Sequence, residues 1–381
     1  MPAPYVTLAG NLDHSLLLAS LPLLEAEAVE ALEWSFDTLY ATGPMPDWFD
    51  ELLRTFANAG RLVGHGVFFS MFSGCWSADQ QAWLNQLKRM AARYRFDHVT
   101  EHFGFMTGAD FHKGAPLSVP LTASTLAIGQ DRLKRLQDAA GCPVGLENLA
   151  FAYSIEDVKR QGEFLSRLLE SVNGFLILDG HNLYCQRHNF GLSNEALFGL
   201  YPLERVREMH ISGGSWVALT DANCTIRRDT HDEAVPDAVF DWLEEAVDRC
   251  PHVRYVVLEQ VGSSLATEAA RAQFQNDFNR MRAVIRAKSG HRTADPLNLF
   301  RPTNPLGLAT SPIEDFGLYQ QQRELARILE TATGYQQAQT QLAASSLANS
   351  AWRVEEWDST MLDTAVAIAQ KWRAGFKSDA D

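Results

Sequence analysis

The sequence predicts an α/β fold, a TIM-type (β/α)8 barrel with a C-terminal helical extension. Three observations predict it. Eight short apolar, β-rich runs alternate with longer helical patterns through roughly three-quarters of the 381 residues. That alternation specifies a parallel sheet covered by helices. No G-x-G-x-x-G follows the first run, which counts against an open dinucleotide-binding sheet. Seven of the eight runs end in or beside a His, Asp or Glu, and a closed barrel gathers such ends onto one ring.

In order, the runs are YVTLAG from Tyr5, LEWSFD from Leu32, RLVGHGV from Arg61, HVTEHF from His98, PVGLENL from Pro143, FLILDGH from Phe175, REMHISG from Arg207 and RYVVLEQ from Arg254. Helical patterns lie between them. The segment 15–30 reads as mostly helical, with Pro22 marking a break or the true helix start. DWFDELLRTFANAG fills the next gap, and ADQQAWLNQLKRMAARY begins at Ala78 after the start signal Ser77. IGQDRLKRLQDAAG and SIEDVKRQGEFLSRLLESV follow, the latter with Ser154 three residues before Asp157. PDAVFDWLEEAVDRC carries Val239, Trp242, Leu243 and Val247 at offsets of 3, 4 and 8, a helical stripe. Two long loops, 106–122 and 212–235, follow runs four and seven. They are expected on the catalytic face.

Composition shifts near Lys288. The sequence predicts a barrel domain over 1–290, a Pro-, Gly- and Thr-rich linker over 291–311, and a helical extension over 312–381. The last helix carries Met361, Leu362, Ala365, Ile368, Ala369 and Trp372 on one face. Such a tail buries little surface alone and is expected to dock on the barrel or a partner.

A net charge of −14 argues against nucleic acid as a partner, because a phosphate backbone calls for a basic face. No apolar run approaches the ~20 residues that span a bilayer, and no secretory signal opens the chain. Five scattered cysteines with no CxxC pair speak against a zinc ribbon or a disulfide framework. A cytoplasmic enzyme is the expectation.

The chemistry lies where the runs end. The second ends in Asp37, the third near His65, the fourth in Glu101 and His102, and the fifth in Glu147 and Asn148. Asp179 ends the sixth, with His181 just beyond; the seventh carries His210 and the eighth ends in Glu259. Asp229 and His231 stand in the loop after run seven. One strand-end His or Asp is usually a cap or a surface group. A ring of them is different, because converging carboxylates lose solvation and repel unless a cation joins them. Mixed imidazoles and carboxylates without a thiolate set suit Fe, Mn or Zn over Mg, Ca or Fe–S clusters. The ligands exceed one ion's needs, so two or three ions sharing a carboxylate are expected, with Glu147 as the natural bridge. His98 and His188 have no strand-end context and receive no role.

HGVFFSMFSG, TEHFGF, LENLAFAYS, LDGHN, EMHISGG, DTHDEAVPDAVFDWL and LEQVGS occur in that order between 32 and 261. This resembles the multinuclear non-haem iron-dependent oxidative enzymes, whose branches include the methanobactin-pathway oxidase and the 3-thiaglutamate-pathway enzyme that excises a carbon from a peptidyl cysteine. The resemblance implies a TIM barrel holding two or three irons in mixed Fe(II)/Fe(III) state. His65 and His102 would hold one iron with Glu147. Glu147, Asp179, His210 and Glu259 would surround a second. Asp229 and His231, with position 181, would form a third. The usual D-x-N-N has His181 here before Asn182, which would strengthen the third site, and the usual D-T-H-G has Asp232. The resemblance further implies O2 as co-substrate, a ribosomally made precursor peptide oxidised at a cysteine Cβ, and a separate peptide-recognition partner.

The leading expectation is therefore an iron- and O2-dependent peptide oxidase, most closely of the carbon-excising branch. The first rival is a Zn- or Mn-dependent barrel hydrolase or isomerase, which would consume no O2. The second is a non-catalytic scaffold, which nine intact candidate ligands speak against.

Overall fold

Eight parallel strands close on themselves in chain order. The computed structural model describes residues 3–39, 45–108, 116–219, 224–288, 298–302 and 306–373. The barrel strands are β1 (Tyr5–Gly10), β2 (Ala31–Trp34), β3 (Leu62–His65), β4 (Val99–His102), β5 (Val144–Glu147), β6 (Phe175–Asp179), β7 (Val206–Ile211) and β8 (Tyr255–Leu258). Each pairs with its neighbour, and β8 pairs with β1. All eight expected runs are strands, so the fold class is that of a TIM barrel.

The helices start where the capping chemistry puts them. Ser77 caps α3 (Ala78–Tyr94) in a reciprocal box with Gln80, and Ser154 caps α5 (Ile155–Glu170). Pro22 lies inside α1 (His14–Glu25) rather than at its start. The outer ring also includes α2 (Asp47–Asn58), α4 (Ala123–Ala140), α6 (Gly180–Phe190), the short α7 (Asn194–Phe198), α8 (Asp237–Arg249) and α9 (Glu268–Ala287).

Alternation along the strands sends every second side chain into the barrel. Its interior is unusually polar. Glu33, His65, His98, Thr100, Glu147, Asp179, Glu208 and His210 are all buried. A register shift in the β6–β7 ladder sets part of this arrangement. Leu176 pairs with Val206 but Ile177 pairs with Glu208, so Arg207 is an extra residue on β7. Because a one-residue slip swaps the two faces of a strand, the bulge places His210 rather than Met209 beside Asp179.

The chain beyond the barrel forms α10 (Phe316–Thr331), α11 (Tyr335–Ala343) and α12 (Ser359–Arg373), which pack on one another. They dock on the loops that follow β3, β4 and β5. Gln322 donates to the Phe72 carbonyl and accepts from the Gly74 amide. Arg323 donates to the Thr107 carbonyl. Trp357 stacks on Tyr153 at 3.8 Å between ring centroids. Met361 meets Ile226 on the loop after β7. The extension therefore sits on the rim at the C-terminal ends of the strands. Of the expected linker, 291–297 and 303–305 lie outside the described residues. Phe300 between them packs on Phe175 at the opposite end of the barrel.

Candidate metal centre

Three groupings of ligand atoms converge among the described residues, each within 4.8 Å: His65, His102 and Glu147; Glu147, Asp179 and His210; and Glu33, His210 and Glu259. They share Glu147 and His210, so they form one continuous cluster. The sheet places these residues in pairs. His102 faces Glu147 across the β4–β5 ladder, and Asp179 faces His210 across β6–β7.

The hydrogen bonds orient the histidines. The Thr100 hydroxyl donates to the Gly64 carbonyl at 3.2 Å. It therefore accepts from Nδ1 of His65 at 2.8 Å. That leaves the Nε2 lone pair of His65 facing Glu147, whose Oε2 is 3.4 Å away. Nδ1 of His102 is 3.2 Å from the Gly66 carbonyl, which can only accept. Its Nε2 lone pair faces the same carboxylate oxygen at 3.6 Å. Two imidazoles thus present bare nitrogens to one oxygen, with backbone and hydroxyl groups fixing their tautomers. Burial, with His102 and His210 nearby, keeps His65 well below its ordinary pKa. Burial lowers His102 as well. Both are neutral near pH 7, the form that ligates a metal.

Glu147 is held from its other side. Oε1 accepts from Nδ2 of Asn182 at 3.0 Å, leaving Oε2 for the two histidines. Asp179 caps α6 by accepting from the Asn182 amide, and its Oδ2 has no hydrogen bond among the described residues. The Asp179 amide itself donates to Asn148 at 2.7 Å. One imidazole edge of His210 lies 3.1 Å from Glu259, and the other lies 3.2 Å from Glu33 and 3.5 Å from Glu208.

The electrostatics call for a cation. Oδ2 of Asp179, Oε2 of Glu259, both oxygens of Glu33 and both nitrogens of His210 are buried without a hydrogen bond of good geometry among the described residues. Burial pushes Glu33 up to about 8, although His210 pulls it back. Burial, with Asp229 nearby, pushes Asp179 up to about 8. Burial, with Asp179 and Glu259 nearby, takes Glu147 well above the carboxylate range. Burial would also raise Glu259, but His210 and His231 hold it at about 2. Burial would lower His210, yet Glu259 and Glu33 raise it well above its ordinary value. A proton on His210 thus supplies charge that a bound cation would supply instead, and metal binding would release it. Donor set, orphaned oxygens and bare nitrogens fit a pair of divalent or trivalent ions sharing Glu147. His102 is a quarter exposed and marks the open side.

Six of the nine sequence-derived candidates, His65, His102, Glu147, Asp179, His210 and Glu259, meet in these groupings. His181, Asp229 and His231 are adjacent to one another and complete no further grouping among the described residues, although Nδ1 of His231 lies 3.9 Å from Oε2 of Glu259. His231 has a left-handed backbone, φ 54°, and Asp232 accepts from the Thr230 hydroxyl, which closes that turn. Asp37 does not reach the cluster. It accepts from the Val67 and Phe68 amides and the Trp83 indole, and so holds the loop after β3. Glu101 lies on that side too, against Gly66. Glu33 and Glu208 escaped the strand-end pattern because they lie inside strands; an acid within an apolar run was their only signal. His98, given no role, is buried in the barrel with Nε2 2.6 Å from Glu208.

The chain is 29% identical over 227 residues to a UPF0276 protein of Chromobacterium violaceum, covering 58% of this chain and 79% of that one. It is 27% identical over 232 residues to UPF0276 protein PM0211 of Pasteurella multocida, covering 56% and 73%. A xylose isomerase domain containing protein of Salmonella typhimurium superposes with a TM-score of 0.47 at 14% identity, covering 73% of this chain and 96% of that one. The family model described as RiPP precursor modification enzyme MbnB/TglH/ChrH matches residues 30–275, more than half of the chain, and the chain belongs to that family.

Proposed function

We propose that this chain is a multinuclear non-haem iron enzyme that uses O2 to oxidise a cysteine of a ribosomally synthesised precursor peptide. The observation that carries this is the shared carboxylate. Two histidines with bare Nε2 atoms group with Glu147; Asp179 and His210 group with the same carboxylate, and Glu259 lies 3.1 Å from His210. In this reading His65 and His102 hold one iron with Glu147, and Asp179, His210 and Glu259 hold the second. When bound, such a pair supplies a Lewis-acidic site for a thiolate and redox equivalents for O2.

The protein's part is to fix that geometry. Thr100 and Gly66 set the tautomers, Asn182 locks Glu147, and the Arg207 bulge sets His210 beside Asp179. Family membership supports a peptide substrate. A carbon-excising reaction at the cysteine Cβ and a separate peptide-recognition partner belong to the same proposal. So do a cytoplasmic setting and a catalytic unit over 1–290. In the same reading the helices on the rim border the path of the peptide. No helix among the described residues is long and apolar enough to cross a membrane.

The test is anaerobic reconstitution with Fe(II), addition of a cysteine-containing precursor encoded beside the gene, then air and peptide mass spectrometry. An O2-dependent mass change that Glu147→Ala abolishes is expected. Retention of Zn or Mn in preference to iron, with no O2 uptake, would replace this reading with a hydrolase or isomerase.

A further inference from the structure

We infer that this chain binds a metal pair and no third ion, because the guanidinium of Arg227 occupies the coordination position at His181. This rests on the two-ion reading above.

Both ring nitrogens of His181 are already committed. Nε of Arg227 lies 3.1 Å from Nε2 of His181. A guanidinium only donates and does not lose its proton in a protein, so Nε2 is the acceptor and carries no hydrogen. The ring proton therefore sits on Nδ1, which donates to Oδ1 of Asp229 at 2.9 Å. Neither nitrogen retains a lone pair for a metal. Here the contrast with His65 and His102 is sharp: each of those gives its proton to a neutral oxygen and aims a bare Nε2 at Glu147.

Neither group is free to move aside. The His181 ring is buried, and Gly214 packs so close that a Cβ there would stand 2.7 Å from Cε1 of the ring. Tyr184 stacks on it at 5.9 Å, and the Cys185 thiol is 4.0 Å from Nδ1. Arg227 is equally fixed. Its guanidinium carbon lies 5.4 Å from the Tyr184 ring centre and 5.3 Å from that of Trp216, and Glu233 accepts from Nη1 at 3.3 Å. Its backbone amide is also tied, donating to Asn189 on α6 at 2.8 Å. Nε2 of His231 stands 2.9 Å from the same oxygen of Asp229, so that carboxylate is already shared by two imidazoles. A cation entering between them would face a fixed positive charge and a histidine with nothing to offer. His181, which as a residue type resembles a ligand, is here a positioning residue. It links Asp229 to Arg227 and holds the loop after β7 against α6.

The experiment is iron stoichiometry on the full-length protein, reconstituted anaerobically with excess Fe(II), desalted and assayed by plasma mass spectrometry. The wild type is expected to keep about two ions per chain, and His181→Ala also about two. Arg227→Ala, which frees Nε2 of His181, is expected to rise to about three. About three in the wild type, falling by one in His181→Ala, would overturn the inference; so would an unchanged count in Arg227→Ala. If the wild type retains no iron, the two-ion reading has failed. The inference is then decided on the metal-free wild type by long-range 1H–15N spectra of its histidines. A bare Nε2 and protonated Nδ1 on His181 support it, and a protonated Nε2 overturns it. The same spectrum decides the matter if Arg227→Ala does not fold.

Discussion

Glu147 and His102 do different work although they stand side by side in the ladder. Glu147 Oε2 faces both histidines while its carboxylate also borders Asp179 and His210, so it belongs to both halves of the centre. His102 belongs to one. In the two-ion reading, Glu147→Ala should lose both ions and His102→Ala should lose one, read as iron per chain; equal losses would argue against a shared carboxylate. Glu33 is a third kind of residue. It lies beneath His210 and stands on the side of the ring facing away from Glu259. A carboxylate accepting the second N–H of a ligating histidine fixes its orientation and raises its basicity. Glu33→Gln should therefore weaken iron retention about 10- to 100-fold against a competing chelator while leaving the stoichiometry at saturation unchanged. Loss of a whole ion would instead make Glu33 a ligand. At this scale the sequence was legible where a ligand closes a strand and opaque where it sits within one. The interior of this barrel alternates charged with apolar side chains, but its outer face is buried too. An acid such as Glu33 or Glu208 therefore breaks an apolar run without showing which way it points. His181 misleads for the opposite reason: its residue type announces a ligand, and only the approach of Arg227, 46 positions away, shows what its nitrogens do.

The elements were legible because each carries local chemistry. Six of the eight strands lie within the expected runs, β2 and β7 begin one residue earlier, and α3 and α5 begin after the serines that cap them. What local chemistry could not convey is where the last three helices go, since docking depends on partners far along the chain. The structure gives the reason for their seat. Gly74, in the loop after β3, donates its amide to Gln322 and accepts from the Asp315 amide at 2.7 Å, so α10 begins directly on it. A Cβ at Gly74 would stand 2.5 Å from the Tyr319 amide nitrogen and 2.6 Å from the Asp315 carbonyl oxygen, both backbone atoms that cannot swing away. Gly74→Ala should lift the start of α10 at a cost of about 1–3 kcal/mol, the range for overpacking. Gln322→Ala leaves the buried Gly74 amide and Phe72 carbonyl unpaired and should cost a similar amount, about 1–3 kcal/mol. Limited proteolysis reads both: cleavage between the barrel and α10 should accelerate in each variant. Unchanged cleavage would mean that α10 is held mainly by its apolar contacts.

Across the whole molecule, charge is buried at two levels of the barrel and solved differently at each. At the rim the carboxylates are arranged in groupings that fit a cation. At the other end the protein supplies its own. Asp97, just before β4, accepts from Nη2 of Arg207 at 2.7 Å and from the Tyr255 hydroxyl at 2.8 Å, with Arg254 at 3.5 Å and His98 at 3.6 Å. Arg207, Tyr255 and Arg254 come from β7, β8 and the turn before β8, so one carboxylate ties the bottom of the barrel across its interior. Burial would raise its pKa, but His98, Arg207 and Arg254 outweigh that and hold it well below the usual carboxylate range. The sign follows. An unfolded Asp titrates near ~3.9, and here the folded value is lower. The stabilisation is therefore fully present above about pH 5 and is lost as pH falls through the unfolded value toward the folded one. Asp97→Asn removes one partner from a largely buried ion-pair network and should cost about 3 kcal/mol at pH 7, the lower end for such a deletion because Asp97 keeps some contact with water. The gap between wild type and variant should narrow by roughly 1 kcal/mol at about pH 3, where the unfolded wild-type chain takes up a proton that the folded one refuses. Urea unfolding of the chelator-treated protein at both pH values measures this without a contribution from metal release. A gap that is constant or widens on acidification would show that Asp97 acts through packing rather than through its charge.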